Sequence, residues 1–252
     1  MSPMRCGVVV LAALIGSCAG PQQPPPLTIA AAASLAPVFD ELGAIFEQLT
    51  GAEVVFSYGA TGSLAEQIRN GAPFDAFASA DALHVDELIA EGLLVDDTRT
   101  VFALGKLVLV PAPGAGLELK SVADLTDPST QTVAIANPAH APYGVAAIQA
   151  LQRAGVEPQV RPKLVYGESV QQTGQLVLSG NASAGLLSAT TALSLDLRGL
   201  ELPQELYDPI LHVAAIHVNT PHRELAIRFV DFLGSPEAQI VFERLGLLIP
   251  ER

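Results

Sequence analysis

A small hydroxyl or a glycine recurs wherever an apolar strand of this chain gives way to a helix. Ser34 follows the first such strand, and Thr61, Gly62 and Ser63 follow the second. Tyr143 and Gly144 stand at a third junction, Ser169 and Val170 at a fourth, and Ser188 closes one more strand. These hydroxyls, together with the first amides of the helices behind them, donate hydrogen bonds and carry no charge. That is the chemistry for holding a small, fully deprotonated oxyanion. Taken singly, Ser34, Ser63 and Ser169 are ordinary helix N-caps, Tyr143 a loop aromatic and Ser188 a strand-end hydroxyl. Their conjunction is what points to a site, because open α/β sheets bind ligands outside the carboxyl ends of their strands. The nearest bases in sequence, Arg69 and Lys163, lie outside these turns.

Other chemistries find less support. The five histidines are scattered at 84, 140, 212, 217 and 222, so no Cys/His cluster has metal-ligand spacing. No glycine-rich loop ends in Lys-Ser/Thr, and there is no Gly-x-Ser-x-Gly elbow. Thr61-Gly62-Ser63 has the look of a nucleophile, but spacing nominates no base, so no enzyme is expected. A hydrolase using Thr61 or Ser63 is the competing reading. A donor-only pocket also disfavours hydrogen phosphate, whose proton needs an acceptor. Glu168, beside Val170, is the one carboxylate that would upset this argument. Sulfate and phosphate stay open as alternative ligands on the same fold.

The elements that must position these residues follow from periodicity. Strands are expected over 27–33, 54–56, 74–79, 102–110, 132–136, 164–166, 184–187 and 211–218. Helices are expected over 38–49, 64–69, 82–91, 145–153, 170–178, 223–233 and 236–245. Pro37 is tolerated only in a first helical turn, and Ser63 with Glu66 reads as a capping box. Alternating strands and helices predict an α/β class with mostly parallel sheets. The pattern occurs twice, which predicts two similar lobes. Lobe 1 is discontinuous, 27–105 with 212–252, and lobe 2 is 106–211.

Composition narrows the partners. Of 252 residues half are hydrophobic, which excludes a disordered chain. A net charge of −13 argues against nucleic acid, whose phosphates need a Lys/Arg surface. Residues 1–17 read as a signal peptide, with Arg5 before an apolar run too short to span a bilayer. Ile15-Gly16-Ser17-Cys18 resembles a bacterial lipobox, so Cys18 is the expected lipidation site and 18–26 a Pro-rich tether. Both cysteines, Cys6 and Cys18, fall in this segment, leaving the body without a disulfide or a catalytic thiol. The mature protein is then a monomer, held at a membrane by lipid only, in the periplasm or on the cell surface.

Several stretches together resemble the substrate-binding proteins of molybdate ABC transporters. They are 27–35, Tyr58-Gly59-Ala60-Thr61-Gly62-Ser63, 71–81, Asn137-Pro138-Ala139-His140-Ala141-Pro142-Tyr143-Gly144 and the closing 223–246. The resemblance implies a type II periplasmic-binding-protein fold of two α/β lobes closing on molybdate or tungstate, no other cofactor, and delivery to an inner-membrane permease. Carried over by position, Ser34 and Thr61 become hydroxyl and amide donors, Tyr143 a donor through its amide and phenol, and Val170 an amide donor only. Ser188 departs from the family, many of whose members have a Tyr there. Asp75 and Asp81 match family positions and are read as structural.

Overall fold

The computed structural model describes residues 26–251, so the leader 1–17, Cys18 and the tether up to residue 25 lie outside the described residues. Two five-stranded sheets carry the fold. The first contains β1 (Leu27–Ala32), β2 (Val54–Gly59), β3 (Ala76–Ser79), β4 (Thr100–Gly105) and β10 (Ile210–Ile216), in the order β2-β1-β3-β10-β4. The second contains β5 (Leu107–Pro111), β6 (Val133–Ala136), β7 (Leu164–Gly167), β8 (Ala184–Ser188) and β9 (Leu200–Glu201), in the order β7-β6-β8-β5-β9. The orders are equivalent, so the chain builds two similar α/β lobes.

The sheets are mixed, not mostly parallel. β2-β1-β3 and β7-β6-β8 are parallel, but β10 and β5 run antiparallel to both of their neighbours. The cause lies in the connections. The apolar run over 102–110 is two strands, not one. β4 pairs with β10 in the first sheet, and β5, one residue beyond it, pairs with β8 in the second. The chain thus passes between sheets at Lys106 and returns through 202–209 into β10. β1, β3, β6 and β8 are almost wholly buried, as strands covered on both faces should be.

Nine helices are described: α1 (Ala36–Thr50), α2 (Thr61–Arg69), α3 (Leu83–Ala90), α4 (Pro142–Arg153), α5 (Glu157–Val160), α6 (Val170–Leu178), α7 (Ala189–Ser194), α8 (Arg223–Phe232) and α9 (Pro236–Arg244). Pro37 sits in the first turn of α1, and Gly51 ends that helix in the left-handed region at φ 72°. α2 starts earlier than its apolar pattern suggests. Ala60 is its N-cap, no side chain caps it, and Ser63 lies inside it, so the capping box of Ser63 and Glu66 does not form. All nine phenylalanines belong to the first lobe or the helices on it. Phe39 of α1 packs edge-on against Phe229 of α8 at 5.8 Å, and Phe102 lies 5.6 Å from Phe242 of α9. The second lobe fills its core with Ala, Val and Leu instead.

Candidate functional site

The helices that follow β1, β2, β6 and β7 all begin at the seam between the two sheets. Thr61 and Val170 are the first residues of α2 and α6, and Tyr143 is the second residue of α4. Their N–H groups therefore have no acceptor within their own helices. Ser34 lies in a short 3₁₀ turn (Ala33–Leu35) leading into α1. Between these starts is a small enclosure of about 10 Å³, lined by Ser34, Thr61, Tyr143 and Val170 among alanines, Gly59 and Pro142. Among the described residues no Lys, Arg, Asp or Glu lines it. Four helix beginnings and three hydroxyls thus converge on one point from both lobes.

The hydrogen bonds behind the lining set its polarity. The Thr61 hydroxyl oxygen accepts from the Ala80 amide at 3.2 Å, which leaves its proton free. The Ser34 hydroxyl lies 3.3 Å from Nε2 of His212. Ser34 is held from its other side too, because Thr190 of α7 donates to its carbonyl at 2.6 Å across the lobes. A second bond across the lobes runs from the Gly62 N–H to the His140 carbonyl at 2.8 Å. Tyr143 is buried to 2% exposure, and its phenol oxygen, beside the Ser34 side chain, makes no hydrogen bond of good geometry among the described residues. Burial raises that phenol's pKa well above its ordinary range, so it stays a protonated donor. An unpartnered buried donor is costly and calls for a ligand or a functional account.

Gly105 lies beneath this cluster, at the end of β4. A Cβ there would stand 2.2 Å from the Tyr143 phenol oxygen and 3.0 Å from His212 Cε1. Only glycine lets both rings reach the seam at the residue where the chain changes sheets.

Of the residues singled out from sequence, Ser34, Thr61, Tyr143 and Val170 come together, and Ser188 does not. Ser188 is fully buried at the start of α7, where its oxygen accepts from the Thr191 N–H at 3.1 Å and lies 2.9 Å from the Thr190 hydroxyl. It serves as the N-cap of α7, a helix too short and Thr-rich to show in the apolar pattern. Ser169 is an N-cap as well, accepting from Gln172 N at 3.3 Å. Glu168 is exposed and does not line the enclosure. Asp75 is structural, accepting from the Thr28 amide at 2.7 Å and the Thr220 hydroxyl at 2.5 Å. Asp81 accepts from the His84 amide at 3.0 Å and from its ring at 2.8 Å, which raises the His84 pKa. Arg69 and Lys163 are engaged elsewhere, with Glu91 and with the Leu125 carbonyl.

Sequence reasoning missed His212, Thr190 and Gly105. Only His212 left a signal, as a lone polar residue inside the apolar strand Ile210–Ile216. Its proximity to Ser34 has the geometry of a nucleophile with its base. Burial, however, lowers the His212 pKa to about 3, and no group pairs with its Nδ1 among the described residues. A base that weak, with nothing to orient it, does not activate a hydroxyl.

Comparison with known proteins agrees with this arrangement. The profile of the family described as bacterial extracellular solute-binding protein matches residues 27–248. A molybdate-binding protein ModA of Rhodobacter capsulatus is 35% identical over 244 residues, covering 96% of this chain and 96% of its own. The ModA of Azotobacter vinelandii is also 35% identical, covering 95% of each chain. A solved structure of the Azotobacter vinelandii periplasmic molybdate-binding protein superposes with a TM-score of 0.83 at 29% identity, over 89% of this chain and 100% of that one.

Proposed function

Because the chain belongs to the bacterial extracellular solute-binding proteins, on their molybdate-binding branch, we propose that it captures molybdate or tungstate between its lobes and delivers it to an ABC permease. One observation carries the reading: an uncharged enclosure at which helix N-termini from both lobes meet three hydroxyls. Ser34 and Thr61 donate through hydroxyl and amide, Tyr143 through amide and phenol, and Val170 through its amide. Positive helix ends and neutral donors stabilise a dianion without a basic side chain. Lobe 1 in this reading is 27–105 with 212–252 and lobe 2 is 106–211. The membership of the two sheets supports this apart from Ile210 and Leu211, which already belong to the first sheet through β10. No helix among the described residues is long and apolar enough to cross a membrane. We propose that lipid on Cys18 anchors a periplasmic or surface-exposed monomer, which loses Arg5 with its leader and so becomes one charge more negative.

The test is calorimetric titration of the purified body with molybdate, tungstate, sulfate and phosphate. Tight binding of the first two, weaker binding of sulfate and weakest binding of phosphate is the expected order. Tighter binding of phosphate than of molybdate refutes the donor-only reading.

A further inference from the structure

The two hydroxyls lining the enclosure from the first lobe are backed in different ways. Behind Thr61 stands a backbone N–H, that of Ala80, at 3.2 Å. This group can only donate, so the Thr61 hydroxyl must send its own proton elsewhere. Behind Ser34 stands an imidazole nitrogen at 3.3 Å, which accepts or donates according to its tautomer. The ring is fully buried, 6.0 Å from the Phe102 ring and 6.3 Å from that of Tyr143. It carries a single proton, because burial keeps it neutral. Its Nδ1 has no partner among the described residues. A buried N–H without a partner is rarer in proteins than a buried lone pair without one. The proton therefore belongs on Nε2.

We propose that His212 is a positioning residue for ligand selectivity: by donating from Nε2 to the Ser34 oxygen, it turns the Ser34 hydroxyl into an obligatory donor toward the enclosure. The inference rests on the reading of the enclosure as an oxyanion site and deepens it. With Thr61 backed by Ala80 and Ser34 by His212, neither hydroxyl can send its proton back to that partner, so both turn their protons toward the enclosure, and one lone pair of each oxygen is already taken. A fully deprotonated dianion is satisfied on every oxygen. A hydrogen phosphate brings a proton of its own, which meets hydroxyls already turned to donate. Ser34 is the weak point of this polarity, because its backing is a side chain and not the main chain. Without His212 the Ser34 hydroxyl is free to turn its proton away and present its lone pairs, and the rejection of a protonated anion fails there first.

The experiment compares the wild-type protein with His212→Met, which fills the space without a donor, and with His212→Gln, which keeps an amide donor near Nε2. Calorimetry with sodium molybdate and with inorganic phosphate at neutral pH gives the selectivity ratio. His212→Met should weaken molybdate about tenfold while phosphate holds or gains, so that the ratio narrows about tenfold. His212→Gln should keep the ratio within about twofold of wild type. A residue that merely fills space would weaken both ligands together and leave the ratio unchanged, and that result overturns the proposal. Nitrogen-15 NMR of the wild-type imidazole supplies the reading that does not depend on a variant folding. Protonated Nε2 with bare Nδ1 supports the proposal, and the reverse tautomer overturns it. A wild-type protein that binds no molybdate fails at the underlying reading, which separates that failure from a failure of the role of His212.

Discussion

Replacing Tyr143 by Phe should move stability and affinity in opposite directions. The phenol oxygen is buried without a partner, on a side chain only 2% exposed. Burying a polar group unsatisfied costs about 1–3 kcal/mol. Removing the oxygen and keeping the ring should therefore stabilise the ligand-free protein by about 1 kcal/mol, or roughly 2–4 °C in melting temperature for a chain of this size. With molybdate the same oxygen is expected to donate a charge-assisted hydrogen bond, and its loss should cost about 1.5–3 kcal/mol, roughly ten- to a hundredfold in affinity. Scanning calorimetry with and without molybdate reads the first quantity, and isothermal titration reads the second. The melting curves should cross: Tyr143→Phe higher than wild type when empty, lower when saturated. Wild-type affinity in the variant would show that the phenol takes no part and that the residue offers only its amide. A lower melting temperature for the empty variant would show that the phenol is already paired inside the protein, with Ser34 the nearest candidate.

Further outcomes follow from the same geometry. Gly105→Ala puts a methyl 2.2 Å from the Tyr143 phenol oxygen, so molybdate affinity in titration should fall by more than tenfold and the melting temperature should drop. Ser188→Ala removes the cap of α7 and should cost about 1 kcal/mol in denaturant unfolding, with molybdate affinity unchanged. His212 titrates near pH 3 folded against 6.5 unfolded, so the unfolded chain binds a proton that the folded chain refuses. Stability should accordingly fall as pH drops below about 6.5, by about 2–3 kcal/mol at pH ~4.5, and His212→Gln should lack that part of the loss in chemical unfolding. His84, whose pKa its hydrogen bond to Asp81 raises, acts with the other sign, so the difference between wild type and variant isolates His212.

What the sequence revealed, it revealed through local rules. That Ser34, Thr61, Tyr143 and Val170 come together was legible because a strand end and a helix start leave unpaired amides within a few residues of each other. Ser188 satisfies the same rule yet sits at the cap of α7, because a hydroxyl that caps its own helix and one that faces a ligand look alike along the chain. The clue was in Ala189-Thr190-Thr191, whose short helix needs the cap. His212 was illegible as part of the site because its partner Ser34 is 178 residues away, a distance closed only by β10 joining the first sheet. The break at Lys106 was hidden for a different reason. Both sides of it are buried strands, so apolar character runs through a point where the chain changes sheets.

The two hydrogen bonds that cross between the lobes, Gly62 N–H to the His140 carbonyl and Thr190 hydroxyl to the Ser34 carbonyl, join protein to protein and need no anion. They act as a latch. At about 1 kcal/mol each they shift the balance between shut and open forms roughly thirtyfold toward shut. A receptor biased in this way has its competent conformer already populated, so little of its intrinsic affinity is lost to rearrangement. The corollary falls on unloading. Neither bond uses the anion, so the bias toward the shut form persists when the cargo leaves. A partner that engages both lobes and separates them breaks both bonds in one motion.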